Sequence, residues 1–209
     1  MSKLTNKNDK YDILIAGVGG QGTVLASRLL AAAAIREGCF ARTSETIGMS
    51  QRGGCVVSHV RINSENASSI IPTGNADMLI AFELSEAARS LARLKKGGCC
   101  IVNTQTIKPV SSSLGASSYD VDAITDYINA NTDKVHYIDG YGIAQNAGSV
   151  KAVNVVLLGA AAAAGQLPLS REVIEEAIIE NVPQKFRELN QRAFELGYNY
   201  ILSKSSTQQ

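Results

Sequence analysis

Residues 11–38, YDILIAGVGGQGTVLASRLLAAAAIREG, constrain the fold more than any other stretch of the chain. A short apolar run stops in glycines, and a segment of good helix formers follows at once and ends at Gly38, which reads as strand, tight turn, helix. Gly17 to Gly22, GVGGQG, fits the G-x-G-x-x-G pattern in that context. Backbone N–H groups at such a helix N-terminus are placed to cradle a phosphate. CFARTSE, 39–45, reads as a second strand, so the chain opens as a βαβ unit whose natural completion is a parallel sheet. The two strands are then expected to be neighbours, with their C-terminal loops at one edge.

Further along, CVVSHVRI, 55–62, alternates: Val56, Ser58, Val60 and Ile62 face one way and Cys55, Val57, His59 and Arg61 the other. It fits a hairpin arm or an edge strand. ADMLIAFE, 76–83, is a buried-type strand, and LSEAARSLARL a helix that runs into Lys95-Lys96-Gly97-Gly98, cations and glycines suited to a helix C-terminus. CCIVNT and VHYIDG add strands on either side of a helix, VDAITDYINAN, for five or six strands in all. From Val150 onward the pattern is helical. AVNVVLLGAAAAA, 152–164, is too short to span a bilayer and carries Asn154, so it reads as a buried helix. Ser170 caps a helix with Ile174, Ala177 and Ile178 opposite a solvated acidic row of Glu172, Glu175, Glu176 and Glu180. Phe186, Leu189, Ala193, Leu196 and Tyr200 recur at helical spacing and read as packing. The expected fold class is α/β, a Rossmann-like, mostly parallel sheet flanked by helices with a helical C-terminal segment. A flexible lead-in over 1–10, one domain over 11–203 and a flexible tail over 204–209 complete the layout.

Lys and Arg number 20 against 19 Asp and Glu, which leaves no positive field to draw nucleic acid or an anionic membrane. Cys39, Cys55, Cys99 and Cys100 show no metal-type spacing and read as buried thiols of a reducing cytoplasm. MSKLTNKNDK lacks the apolar core of a signal peptide. His59 and His136 sit in strand-like runs and read as structural. No nucleophile–base set, metal constellation or iron–sulfur ligand set is visible.

The second chemical feature is the stretch SETIGMSQRGGCVVSHVRI, 44–62. Gly48, Gly53 and Gly54 allow unusual dihedrals or close approach, and Arg52 offers a planar fork for phosphate or carboxylate. Gly19, Gly20, Gln21 and Gly22 would face Ser50, Gln51, Arg52 and Gly53 across one crevice at the C-terminal edge of the sheet, where open α/β sheets bind ligands. A dinucleotide site also wants an acid after the second strand. Glu45 is the candidate, and it lies further from the glycines than the usual ~20 residues. Two plainer readings stay open: a glycine turn that only packs or meets a partner, and an Arg52 that pairs with Glu45 to brace its loop. A stand-alone nucleotide-dependent reductase and a non-catalytic nucleotide-sensing protein also remain alternatives.

GVGGQGTVLASRLLAAAA, TSETIGMSQRGGCVVSHVRI, ADMLIAFE and FRELNQRAFELGY, in that order between about Tyr11 and Tyr198, resemble the small beta subunit of indolepyruvate:ferredoxin oxidoreductase, akin to the gamma subunit of the wider 2-oxoacid:ferredoxin oxidoreductases. The resemblance implies an enzyme that decarboxylates an aryl 2-oxoacid, transfers the acyl group to coenzyme A and passes two electrons to ferredoxin. It places thiamine diphosphate and iron–sulfur clusters in a large alpha subunit, and makes the small subunit a cover for the active-site cleft, inactive alone. Gly19, Gly20, Gln21, Gly22, Ser50, Gln51, Arg52 and Gly53 would then line the cleft and hold coenzyme A phosphates, with Glu45 and Glu83 as weaker candidates. Self-association in the absence of the large subunit is a further expectation.

Overall fold

Tyr11–Val18 forms β1, buried along its whole length in the computed structural model, which describes residues 9–48, 54–107 and 119–206. A strand covered on both faces has no need of alternation, which is why this run is almost uninterruptedly apolar. Its one charged residue, Asp12, accepts from Arg61 Nε and Nη2, both at 2.8 Å. Five further strands follow: β2 (Ala41–Ile47), β3 (Cys55–Ile62), β4 (Ala76–Ala81), β5 (Leu94–Asn103) and β6 (Val135–Ile138). They join β1 in one six-stranded sheet of order β2-β3-β1-β4-β5-β6.

β1, β4, β5 and β6 pair in parallel, while β3 is antiparallel to both β1 and β2. Only β3 is reversed, so the sheet is mostly parallel. The expected adjacency of the first two strands is therefore corrected: β3 lies between them. Composition explains the order. ARTSETI is polar and half-exposed to exposed, as an edge strand should be, whereas β3 buries Val56, Val60 and Ile62 on one face and His59 and Arg61 on the other. β3 is thus a hairpin arm but not an edge.

Seven α-helices are described: α1 (Thr23–Arg36), α2 (Leu84–Ser90), α3 (Val121–Asn131), α4 (Gly140–Ala147), α5 (Val153–Ala163), α6 (Arg171–Asn181) and α7 (Arg187–Ser206). α1, α5, α6 and α7 pack with Ile13, Ile15, Val60 and Ile80 on one face, and α2 and α3 with Leu14, Ala16, Leu79 and Val102 on the other. This three-layer arrangement is the α/β class expected. α7 runs through Ser206, past the boundary drawn at 203. Ser170 does cap α6, accepting from the Val173 N–H at 3.3 Å. Part of the acidic row does more than face solvent, since Glu176 and Glu180 pair with Arg36 at 2.6 and 2.8 Å.

α5 is buried from Val153 through Ala161 between the sheet and α7. A Cβ on Gly159 would overlap the Phe194 carbonyl oxygen, and one on Gly197 the Val156 carbonyl oxygen, so the two backbones meet through a pair of glycines. Along α7 the side chains of Ala193, Phe194 and Ile201 are fully buried and Leu189, Leu196 and Tyr200 pack partly buried against the same core, as the stripe read in the sequence expects, whereas Phe186, in the 3₁₀ turn ahead of α7, is 45% exposed.

Three other expectations change. Lys95 to Gly98 do not end a helix: α2 stops at Ser90, one 3₁₀ turn follows, and these residues open β5, with Lys95 paired to Asp77. α4 carried no recognised helix signal, and Asp139, read as the end of a strand, is its N-cap, accepting from Gly142 N–H at 2.9 Å. Cys55 is exposed because it opens β3 at the rim of the sheet, whereas Cys39, Cys99 and Cys100 are buried. Burial pushes the Cys99 thiol up to about 11.

Candidate functional site

β1 must reverse into α1 within four residues, and the glycines make that turn possible. Gly20 and Gly22 sit at φ 97° and 88°, a region closed to most other residues. Gly17 answers a different need: a Cβ there would lie 2.8 Å from Gln21 Oε1 and Thr23 Cγ2. Gly22, as N-cap, offers no side-chain cap to α1. Among the described residues, no carbonyl meets the N–H groups of Gly20, Gly22, Thr23, Val24 or Leu25. They leave a turn of unanswered donors on the positive end of a 14-residue helix, the arrangement that binds anions.

Two buried polar side chains border that turn. Thr23 is 3% exposed and Asn154, at the start of α5, is 4% exposed. Asn154 Nδ2 lies 3.2 Å from where a Cβ on Gly22 would stand. The Thr23 hydroxyl and the Asn154 amide form no hydrogen bond to another described residue and keep some contact with solvent, unlike the fully enclosed Tyr11 OH and Ser58 Oγ.

Gln21 behaves differently from its glycine neighbours. Its Oε1 accepts from Val18 N–H at 2.7 Å, and its Nε2 donates to the Phe82 carbonyl at 3.1 Å. Asn103, fully buried at the end of β5, donates to the same carbonyl at 2.9 Å and accepts from Gly140 N–H at 2.9 Å. Two side-chain amides thus clasp the C-terminal ends of β1, β4 and β5 to the start of α4. The clasp holds the glycine turn in place.

Glu83, also at this edge, is buried and caps α2. Its carboxylate accepts from Ser85 Oγ at 2.6 Å, Glu86 N–H at 3.0 Å, Ile107 N–H at 3.1 Å and Tyr119 OH at 2.5 Å. Burial, and then Glu83 itself, push the Tyr119 phenol above its usual range. With four donors already in place, Glu83 braces the edge: it ties both Ile107 and Tyr119 to one oxygen.

The glycine turn touches the residue just ahead of β3. Gly19 N–H donates to Gly54 O at 3.0 Å, and Gly48 N–H to Cys55 O at 2.8 Å. Ser50, Gln51, Arg52 and Gly53 lie outside the described residues. Glu45 is exposed on β2, 3.5 Å from Ser27 Oγ. Because β3 intervenes, Glu45 stands two strand spacings, roughly 10 Å, from β1, so it is not where a ribose-binding acid sits beside a glycine turn. His59 is buried, and its Nδ1 accepts from Ile71 N–H at 3.2 Å. Burial chiefly, with Arg93 and Arg61, lowers it to about 4, so it is a neutral core residue.

Residues 12–200 match the sequence profile of the pyruvate ferredoxin/flavodoxin oxidoreductases. The chain belongs to this family. It is similar to the indolepyruvate oxidoreductase subunit IorB of Thermococcus kodakarensis, 40% identical over 90% of this chain and 94% of the relative. The IorB of Archaeoglobus fulgidus is also 40% identical, over 93% and 96% of the two chains. Among solved structures, a keto/oxoacid ferredoxin oxidoreductase gamma subunit from Geobacter sulfurreducens superposes with a TM-score of 0.68 at 29% identity, covering 92% of this chain and 99% of that one. A 2-oxoglutarate:ferredoxin oxidoreductase from Magnetococcus marinus shares the fold, with a TM-score of 0.69 at 20% identity, over 31% of its longer chain. Within the family this chain is a small subunit of a 2-oxoacid:ferredoxin oxidoreductase. Among the described residues no group of three or more His, Cys, Asp and Glu could hold a metal ion, and no helix is long and apolar enough to cross a membrane.

Proposed function

We propose that this chain is the small subunit of a cytoplasmic indolepyruvate:ferredoxin oxidoreductase and that it holds coenzyme A over the partner's active site. Identity carries the substrate assignment: the two IorB relatives stand at 40%, against 30% for the pyruvate synthase subunit PorC of Methanocaldococcus jannaschii. The reaction converts an aryl 2-oxoacid, coenzyme A and two oxidised ferredoxins to the aryl acyl-CoA, carbon dioxide, a proton and two reduced ferredoxins. A large alpha subunit would supply thiamine diphosphate for the decarboxylation chemistry and iron–sulfur clusters for electron transfer.

This chain's own contribution is binding and positioning. The uncapped first turn of α1, with Gly20, Gly22 and the Thr23 hydroxyl, fits phosphate oxygens, and Gly19 joins it to the loop that carries Ser50, Gln51, Arg52 and Gly53. Gln21 and Asn103 fix that turn, and Glu83 fixes the rim beside it. The single observation that supports the coenzyme A role is this row of unanswered N–H donors at the C-terminal edge of the sheet, beside Gly54. The test is to co-express the chain with the large subunit, purify the complex and follow viologen reduction with indolepyruvate, phenylpyruvate, pyruvate and 2-oxoglutarate. Coenzyme A-dependent turnover with kcat/KM highest for the aryl acids is the expected result. A preference for pyruvate or 2-oxoglutarate overturns the substrate assignment.

A further inference from the structure

Beside the α1 N-terminus lies a cavity of about 200 Å³ whose walls include Leu25, Pro183, Phe186 and Leu189, with Ser149, Lys151, Asn154 and Asn190 as its polar members. Its volume is below the 300–1,000 Å³ of sites that take a whole ligand, and it suits one ring system. Its place is set by α1: Leu25 is three residues after Gly22, so the cavity opens within a helical turn of the phosphate-type donors.

Three observations indicate what the ring is. First, the Asn154 amide, 4% exposed, lines the cavity and is not hydrogen-bonded within the described residues. Its amide offers an NH2 donor and a carbonyl acceptor side by side, and an occupant that answers both replaces the solvent they otherwise meet. A hydrocarbon side chain from a partner does neither; the edge of adenine, with an amino group beside a ring nitrogen, does both. Second, Phe186 is 45% exposed at the cavity wall and presents an aromatic surface to a flat base. Third, Lys151 lines the cavity and Lys185 Nζ lies over the Phe186 ring, 4.9 Å from its centre, so two cations stand beside this wall.

We infer that this cavity seats the purine ring of a nucleotide whose phosphates lie on the first turn of α1. The inference rests on the coenzyme A role proposed above and sharpens it: this chain reads the adenine end of the acceptor and leaves the thiol end to the partner. Asn154 recognises the base edge, Phe186 and Leu25 its faces, and Lys151 the phosphate nearest the ribose.

The co-purified complex decides the matter through two acyl acceptors, coenzyme A and 4′-phosphopantetheine, which lacks the nucleotide. In Asn154→Leu, a swap of similar size at a site with apolar neighbours, KM for coenzyme A rises about tenfold or more, while KM for phosphopantetheine stays within about twofold. Phe186→Ala, truncating a half-exposed ring, gives the same pattern with a rise of about fivefold or more, and decides the question alone if Asn154→Leu does not fold. An unchanged KM for coenzyme A in the folded variants overturns the purine seat, as does an equal rise for both acceptors. A parallel Arg52→Ala variant separates the two proposals. If it raises KM for coenzyme A and the cavity variants do not, only the purine seat falls; if none of them moves it, the coenzyme A role falls as well.

Discussion

Replacing Gln21 and Asn103 together should cost more than the two single replacements added up. In the wild type, Gln21 bonds Val18 N–H and the Phe82 carbonyl, and Asn103 bonds the same carbonyl and Gly140 N–H. Gln21→Met orphans the Val18 N–H, and Asn103→Leu orphans the Gly140 N–H. Each buried donor left unpaired costs about 1–3 kcal/mol, centrally ~2 kcal/mol, because the Phe82 carbonyl still keeps one of its two donors. The double variant strips both donors from that carbonyl, adding a third orphan and a coupling of about 1–2 kcal/mol beyond the sum. The total of roughly 5–6 kcal/mol approaches the whole stability of a typical domain. Urea unfolding of the purified chain, analysed as a double-mutant cycle with a common slope, measures each term. In a thermal scan each single variant should melt about 4–8 °C lower. Single losses below about 0.5 kcal/mol, or strict additivity in the double, would refute the shared-acceptor clasp.

Three further outcomes follow from other parts of the molecule. Gly159→Ala should destabilise by about 2 kcal/mol or more, because the new methyl meets the Phe194 backbone and α5 must shift from α7; a melting temperature equal to wild type would show that the helices slide freely. His59 has a folded value of about 4 against 6.5 in the open chain, so the unfolded state binds the proton first: stability is full above pH 6.5 and falls, by up to ~3 kcal/mol, as pH drops to 4. His59→Asn, which keeps an acceptor for Ile71 N–H, should flatten that part of the urea-midpoint profile, and an unchanged profile contradicts the assignment. Arg52→Ala should raise KM for coenzyme A in the complex about ten- to hundredfold, the equivalent of ~1.5–3 kcal/mol, with little change in melting temperature; the reverse pattern shows an arginine that only braces its loop.

Much of this architecture is legible in the sequence wherever local chemistry decides it. The run Tyr11–Val18, the glycine turn and α1 follow from apolar pattern and helix propensity, and α3 has the bounds its sequence announces. Strand order is a different matter, because it depends on which strand has two buried faces. The apolar residues on both sides of β3 were the signal that it would be interior and β2 the edge. α4 was hidden by Gly140 and Gly142, poor helix formers; the clue was Asp139 ahead of them and Gly148, at φ 122°, behind. In the site, glycine spacing pointed to the turn, but the Gln21–Phe82–Asn103 clasp has a backbone carbonyl at its centre, which side-chain patterns do not reveal. Glu83 likewise stands in the sequence as a candidate for the cleft and proves to accept from four donors of its own chain. Asn154 did carry a signal, as the lone polar residue in a helix otherwise apolar for three turns.

The most direct test of the central claim is a coenzyme A titration of the large subunit's indolepyruvate-dependent dye reduction, run with and without this chain added back. If the chain holds coenzyme A over the partner's site, saturable dependence on coenzyme A appears only when it is present, and Arg52→Ala chain restores turnover with a KM shifted upward about ten- to hundredfold. The same coenzyme A saturation curve from the large subunit alone would contradict the account.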